Sequence, residues 1–321
     1  MRCLIGIDLG GTNIAAGVVT QDGRLLSKCS LPTGADRPAE EIVRDMARAA
    51  LLSLEQAGLE RDAACALGVG VPGAVDARRG MVLRTTNLDW RSLPLGEQLK
   101  KLTGLPVYLG NDADCAALGE VHAGAARDYD SAVMITLGTG VGGGIVAHDR
   151  VFDGWNGGGT EAGHIPLILG GEPCGCGRRG CFEAYASATA LIRQTRRAME
   201  AHPESALWQV CPAAAQVNAK TPFDAALLGD QTARTVLNTY EEYLAAGIGG
   251  IVNLLRPQAV ILGGGVSNQG ETLLAPVREK LRKYCYASEF IAPPVLVRAA
   301  LGNDAGIIAP PCWDWAARKC A

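Results

Sequence analysis

No uninterrupted apolar run in these 321 residues is long enough to cross a bilayer, which excludes a membrane-spanning helix. There is no basic block either. The 30 lysines and arginines stand against 33 acids, and the net charge of -3 argues against nucleic acid as the main partner. The N-terminus lacks the pattern of a signal peptide, since Met1-Arg2-Cys3-Leu4 passes straight into a strand pattern. Eleven cysteines without such a leader point to a reducing cytoplasm, three of them on a metal and eight free. No Gly-Lys-Ser/Thr follows the glycine-rich turns, which excludes a phosphate loop of the Walker type. Apolar residues, by contrast, make up 48% of the chain, and 41 glycines cluster where turns would lie. The protein is therefore globular, and its length exceeds what one core usually fills, so two lobes are expected.

The stretch from Glu161 to Ser187, EAGHIPLILGGEPCGCGRRGCFEAYAS, places His164 ahead of Cys174, Cys176 and Cys181. Imidazole and thiolate are the donors that Zn²⁺ accepts in closed tetrahedral sites. Gly175, Gly177 and Gly180 let the backbone turn tightly enough for the sulfurs to converge. A disulfide or a set of free thiols is the alternative, but four soft ligands this close favour the metal. Two acids flank the cluster, Glu161 before the histidine and Glu183 after the last cysteine. A metal here would clamp both acids and His164 in place.

Taken in order, the chain opens with a strand, Leu4 to Asp8, then a tight turn at Gly10 and Gly11, then a returning strand from Ile14 to Val19. Asp22-Gly23 turns the chain into a third strand, Arg24 to Leu31. A glycine hairpin can present backbone N–H groups to phosphate oxygens, and Asp8 at its mouth is placed to hold Mg²⁺, directly or through water. A plain hairpin turn is the competing reading. A helix is expected from Pro38 to Gly58, with Val43, Met46, Ala50, Leu54 and Ala57 at helical spacing. Cys65 to Val71 reads as a buried strand ending at Pro72-Gly73, a position where open α/β sheets place ligands. Thr85 to Trp90 is a polar loop in which Asn87 either contacts a ligand hydroxyl or caps a local turn. The strand Pro106 to Leu109 runs into Gly110-Asn111-Asp112-Ala113-Asp114, with a helix expected from Ala116 to Ala123. Asp112 or Asp114 either caps that helix or serves as a general base.

The second half repeats the opening order. Ser131 to Leu137 is an apolar strand, Gly138-Thr139-Gly140 begins a glycine turn, and Ile145 to Ala147 returns before a turn at His148 to Arg150. An internal repeat with one glycine turn per half predicts two related lobes facing each other across a nucleotide. Helices are expected over Ala188 to Ala201, from Asp230 to Arg256, and over Glu271 to Tyr284, with His202 to Phe223 irregular. Ala259 to Leu262 is a buried strand that runs into Gly263-Gly264-Gly265. That backbone either lets an adenine or ribose lie flat or forms a simple strand-to-helix turn. Val295 to Arg298 is the last strand, and Gly302 to Ala309 starts a closing helix.

Seven features occur together and in order: Asp8-Leu-Gly-Gly-Thr12, Val71-Pro-Gly73, Asn111-Asp112, Leu137-Gly-Thr-Gly140, Glu161-Ala-Gly-His164, the cysteine loop and Gly263-Gly-Gly265. In this the chain resembles the ROK family of bacterial sugar kinases over almost its whole length, with the glucokinases of that family the nearest in pattern. The resemblance implies an actin-like ATPase fold (ribonuclease H-like, α/β), two lobes each with a mixed sheet flanked by helices, and a cleft between them. Residues 1–115 with 302–321 would form the small lobe, and 116–301 the large one carrying the zinc loop. It implies ATP-dependent phosphorylation of a hexose, glucose above others, at its 6-hydroxyl, with Asp112 as the base. The sugar would be held by Gly73, Asn87, Asn111, Asp112, Glu161, His164 and Glu183. ATP with Mg²⁺ would meet Asp8, Gly10, Gly11, Thr12, Asn13, Gly138, Thr139 and Gly140, with Gly263, Gly264 and Gly265 under the nucleoside. The zinc on His164, Cys174, Cys176 and Cys181 would be structural, and the assembly a homodimer or homotetramer.

Two departures from the family pattern stand out: Pro310-Pro311, which should break the closing helix, and Ala162, where a larger aliphatic residue is usual. The family also includes sugar-responsive repressors, which carry a helix-turn-helix ahead of the first motif. Only seven residues precede Asp8, so a kinase is expected. Kinases for N-acetylmannosamine, N-acetylglucosamine, fructose or allose are the alternatives within the enzyme class. The metal loop and its acids speak against an actin-like filament or chaperone ATPase.

Overall fold

The apolar run CLIGIDL becomes β1 (Cys3–Leu9), buried at every position except Asp8. A strand apolar on both faces belongs in the middle of a covered sheet, and β1 sits there. Around it lie β2 (Asn13–Thr20), β3 (Leu25–Pro32), β4 (Ala64–Val71) and, after a small antiparallel sheet of β5 (Ala74–Asp76), β6 (Met81–Arg84) and β7 (Arg91–Leu93), β8 (Val107–Asn111). The order is β3-β2-β1-β4-β8. The first three strands are antiparallel, and β1, β4 and β8 are parallel. The computed structural model describes residues 2–85, 87–148, 150–155 and 157–308.

Helix α1 (Ala39–Gln56) covers this sheet with Ile42, Val43, Met46, Ala50 and Leu54, all buried. Helix α2 (Leu95–Thr103) ends at Gly104 in a left-handed cap. Neither α2 nor the small sheet was anticipated, because segments this short carry too few periods of hydrophobic alternation to register. Helix α3 (Asp112–Ala123) starts at Asp112, four residues before the expected Ala116.

A second five-stranded sheet comprises β9 (Ser131–Leu137), β10 (Val141–Ala147), β11 (Arg150–Val151), β12 (Ala259–Gly263) and β13 (Val295–Arg298). Its order, β11-β10-β9-β12-β13, matches the first sheet strand for strand. As in the first sheet, the hairpin pair β10–β11 is antiparallel and the outer pair β12–β13 is parallel. The repeat expected from the glycine turns is thus present in the topology.

The helices of the second half are α4 (Glu183–Ala186), α5 (Ala188–Ala201), α6 (Leu207–Val210), α7 (Thr221–Leu227), α8 (Gln231–Leu255) and α9 (Glu271–Tyr284). Asp230 caps α8, its carboxylate accepting from Ala233 N at 2.7 Å. The same carboxylate accepts from Ser205 Oγ and Ala206 N. That bond orders the segment before α6, which the sequence reading left irregular. The last described helix is α10 (Ala305–Ile308). It passes so close to β1 that any side chain at Gly6 would run into the Ile307 carbonyl.

Two compact units result: Met1–Val133 with Gly144–Thr160 and Ala300–Ala321, and Met134–Gly143 with Glu161–Ala299. The division expected at 115/116 differs from this, because α3 packs on β4, β8 and α10 and so stays with the first unit. Among the described residues no helix is long and apolar enough to cross a membrane. Pro310-Pro311 lies outside the described residues.

Candidate active site

In the first unit, β8 delivers Asn111 and Asp112 to the start of α3. Asn111 has extended backbone (φ -67°, ψ 146°) and is the N-cap of the helix. Its Oδ1 accepts from Ala113 N at 2.9 Å and Asp114 N at 3.3 Å, and its Nδ2 donates to the Gly73 carbonyl at 3.1 Å. Of the candidates read from sequence, then, neither Asp112 nor Asp114 is the cap. An amide can accept from the helix and donate to the neighbouring turn at once, which a carboxylate cannot. Gly73 has a φ of 123°, and a side chain there would meet the Arg84 carbonyl, so the turn that receives this bond is pinned against β6. Asn111→Ala should therefore destabilise the protein by about 1 kcal/mol through the lost cap. Denaturant unfolding of the variant checks this.

Asp112 is the first helical residue, and its Oδ1 accepts from Ala113 N at 2.9 Å. The N-terminal end of a helix favours the charged carboxylate. Asp114 is buried, with its Oδ1 3.3 Å from the Thr160 hydroxyl. Asp8 has its carboxyl pushed up to about 6, chiefly by burial, next by the negative charge of Asp112, and against the pull of Lys28. The two acids thus sense one another.

The turn from Gly10 to Asn13 joins β1 to β2, closed by a bond from Gly10 N to Asn13 O at 2.9 Å. Thr12 and Asn13 are exposed. Asn87, also exposed, lies against Gly11. Trp90, in the same loop, belongs to the core. In the second unit, Gly138 N donates to Gly140 O at 3.0 Å. Helix α5 holds this turn from behind, by Ala188 N to Gly138 O at 2.8 Å and Thr189 Oγ1 to Thr139 O at 2.8 Å. At the end of β12, Gly263 is buried while Gly264 and Gly265 are exposed.

The cysteine loop folds back on itself by short antiparallel bridges, Pro166 with Cys181 and Pro173 with Arg179. This brings the ligand atoms of His164, Cys174, Cys176 and Cys181 within 4.8 Å of one another. Cys176 Sγ lies 3.7 Å from Cys181 Sγ, and His164 Nδ1 lies 3.7 Å from Cys174 Sγ. A tetrahedral zinc with ordinary bond lengths would set these edges at about 3.8 Å and about 3.6 Å. The donor set and its spacing therefore fit zinc. Burial pushes the Cys174 thiol up to about 12 and raises Cys181, whereas the Arg178 backbone N–H lowers Cys176.

His164 uses Nδ1 on the cluster side, and its Nε2 lies 3.9 Å from the Glu161 carboxylate. Glu183, the first residue of α4, spans two groups: Oε1 accepts from Cys174 Sγ at 3.2 Å, and Oε2 from Val141 N at 3.1 Å. It thereby joins the cysteine loop to the second glycine turn. Nothing in the local sequence announced that link, since the partners are 42 residues apart.

Duplicated β-sheets with a glycine turn in each half, and a carboxylate at the start of the following helix, define an actin-like ATPase fold of the sugar-kinase type. A family model described as "ROK family" matches residues 4–310, and the chain belongs to that family. A glucokinase from Thermotoga maritima is 38% identical over 306 residues, 95% of each chain. The crystal structure of a ROK hexokinase from Thermus thermophilus superposes with a TM-score of 0.83 at 36% identity, covering all of both chains. That of a ROK family glucokinase from Streptomyces griseus, in complex with glucose and AMPPNP, gives 0.80 at 37% identity over 98% of this chain and 99% of that one.

Proposed function

We propose that this chain transfers the γ-phosphoryl group of ATP to the 6-hydroxyl of D-glucose, with Asp112 as general base. The chain is an ATP-dependent sugar kinase that phosphorylates glucose. The observation that carries the reading is likeness along nearly the full length to an enzyme whose crystals hold glucose and an ATP analogue.

A sugar hydroxyl is a weak nucleophile, and Asp112 takes its proton as the bond to phosphorus forms. The acid stands for this at the start of α3. Asn111, bound to both the helix and Gly73, aims it and offers its remaining amide hydrogen to the sugar. Gly73 and Asn87 complete that side of the sugar. Glu161, His164 and Glu183 are the further contacts to sugar hydroxyls. Gly10 to Thr12 and Gly138 to Gly140 take up phosphate charge through the backbone N–H groups not already bonded within each turn, and Gly263 to Gly265 lie under the nucleoside. Asp8 would hold Mg²⁺, directly or through water, and the ion would supply charge neutralisation at the phosphates. His164, Cys174, Cys176 and Cys181 would hold a structural zinc, which with Nδ1 on the cluster side would leave Nε2 of His164 for the sugar. The protein works in the cytoplasm as a homodimer or homotetramer.

ATP consumption measured across hexoses and N-acetylhexosamines tests the substrate. Glucose should show the highest kcat/KM. A higher value for N-acetylmannosamine, N-acetylglucosamine, fructose or allose would replace glucose while leaving the kinase assignment intact.

A further inference from the structure

Thr33 belongs to no motif, yet it has no exposed surface and lies directly behind the first glycine turn. Its hydroxyl donates to the Gly10 carbonyl at 2.7 Å, and its backbone N–H donates to the Thr12 carbonyl at 2.8 Å. One buried residue just past β3 thus holds both sides of the turn. A Gly-Gly peptide is the least restrained unit a chain can contain, and left alone it would rotate among several orientations. A trans peptide carries its C=O and its N–H on opposite sides. Holding the Gly10 carbonyl therefore also fixes the N–H of Gly11, aimed away from Thr33. Among the described residues the N–H groups of Gly11 and Thr12 have no acceptor.

We propose that Thr33 is the positioning residue of the phosphate turn: it holds the Gly10–Gly11 peptide so that the Gly11 N–H is preset for a nucleotide phosphate oxygen. This rests on the reading that Gly10 to Thr12 bind nucleotide phosphates. The gain is one of preorganisation. A donor already aimed needs no reordering when charge arrives, whereas a freely turning one must be immobilised on binding.

The test uses the full-length protein and three variants, with AMPPNP affinity by calorimetry, KM for ATP and for glucose, and the melting temperature. Thr33→Val removes the hydroxyl but keeps the shape and the backbone N–H. It should weaken AMPPNP and raise KM for ATP by about tenfold, with KM for glucose near the parent value. Thr33→Ser keeps the hydroxyl and should restore nucleotide affinity. Gly11→Ala reports on the turn itself: its methyl would meet the Asn87 Cβ at 3.4 Å, an ordinary contact, while crowding any phosphate. Weakened AMPPNP with Gly11→Ala but not with Thr33→Val would overturn the role of Thr33 and leave the turn as the phosphate site. No effect from either would remove the phosphate reading and this proposal together. Equal changes in both KM values with a lowered melting temperature, unrescued by serine, would make Thr33 a plain core residue and overturn it as well.

Discussion

Asp112→Asn is expected to leave glucose affinity nearly unchanged and to lower kcat by at least about a hundredfold, the low end of general-base effects. Asparagine keeps the size and the hydrogen-bonding reach of aspartate but cannot accept the proton. The helix should survive the change, because Asn111, not Asp112, supplies the cap. That separation makes the experiment clean: a loss of turnover cannot be ascribed to an unravelled helix. Asp8 gives a second readout. Its carboxyl is raised partly by the negative charge of Asp112, so neutralising Asp112 should bring it down toward the usual carboxylate range. Steady-state kinetics and calorimetry with glucose suffice for the main claim. Near-normal kcat would take Asp112 out of the role of base.

The second large effect concerns the metal. Purified without chelators, the protein should contain about one zinc per chain. Cys176→Ser should remove it, lower the melting temperature and weaken glucose binding at least about tenfold, as loss of metal-site support typically does. Cys176 is the informative position because its side chain is exposed, whereas Cys181 is buried. Replacing an exposed residue that serves only solvent changes stability by about 0.5 kcal/mol at most. A large drop at this site therefore reports a lost ligand and not a damaged core. A variant as stable as the parent, with the same glucose affinity and no zinc in either protein, would leave the cluster as four unlinked side chains.

Much of the fold was legible in advance because its signals are local. The runs CLIGIDL and SAVMITL are apolar at almost every position and became the central strands β1 and β9. The helix expected from Asp230 to Arg256 is present as α8, with Asp230 as its cap. The segments that escaped are those whose order comes from elsewhere. Strands β5 to β7 are three or four residues long and exist through their pairing with one another. Helix α3 begins at Asp112 because the side chain of Asn111 holds its first turn, whereas spacing alone had offered only Asp112 or Asp114 as the cap. The turn from Gly10 to Asn13 was visible as glycine and polar residues, but the residue that stiffens it was not.

By itself the amino-acid sequence determined the order of the longer strands and helices, the duplicated glycine turns and the four zinc-type donors, since each is written in residues close together in the chain. Only the tertiary structure decided which polar group does which task. Asn111 reaches Gly73 across 38 residues, Thr33 reaches Gly10 across 23, and Glu183 reaches Val141 across 42. Hydrogen bonds of that range depend on where the backbone has been carried, and no local propensity encodes it.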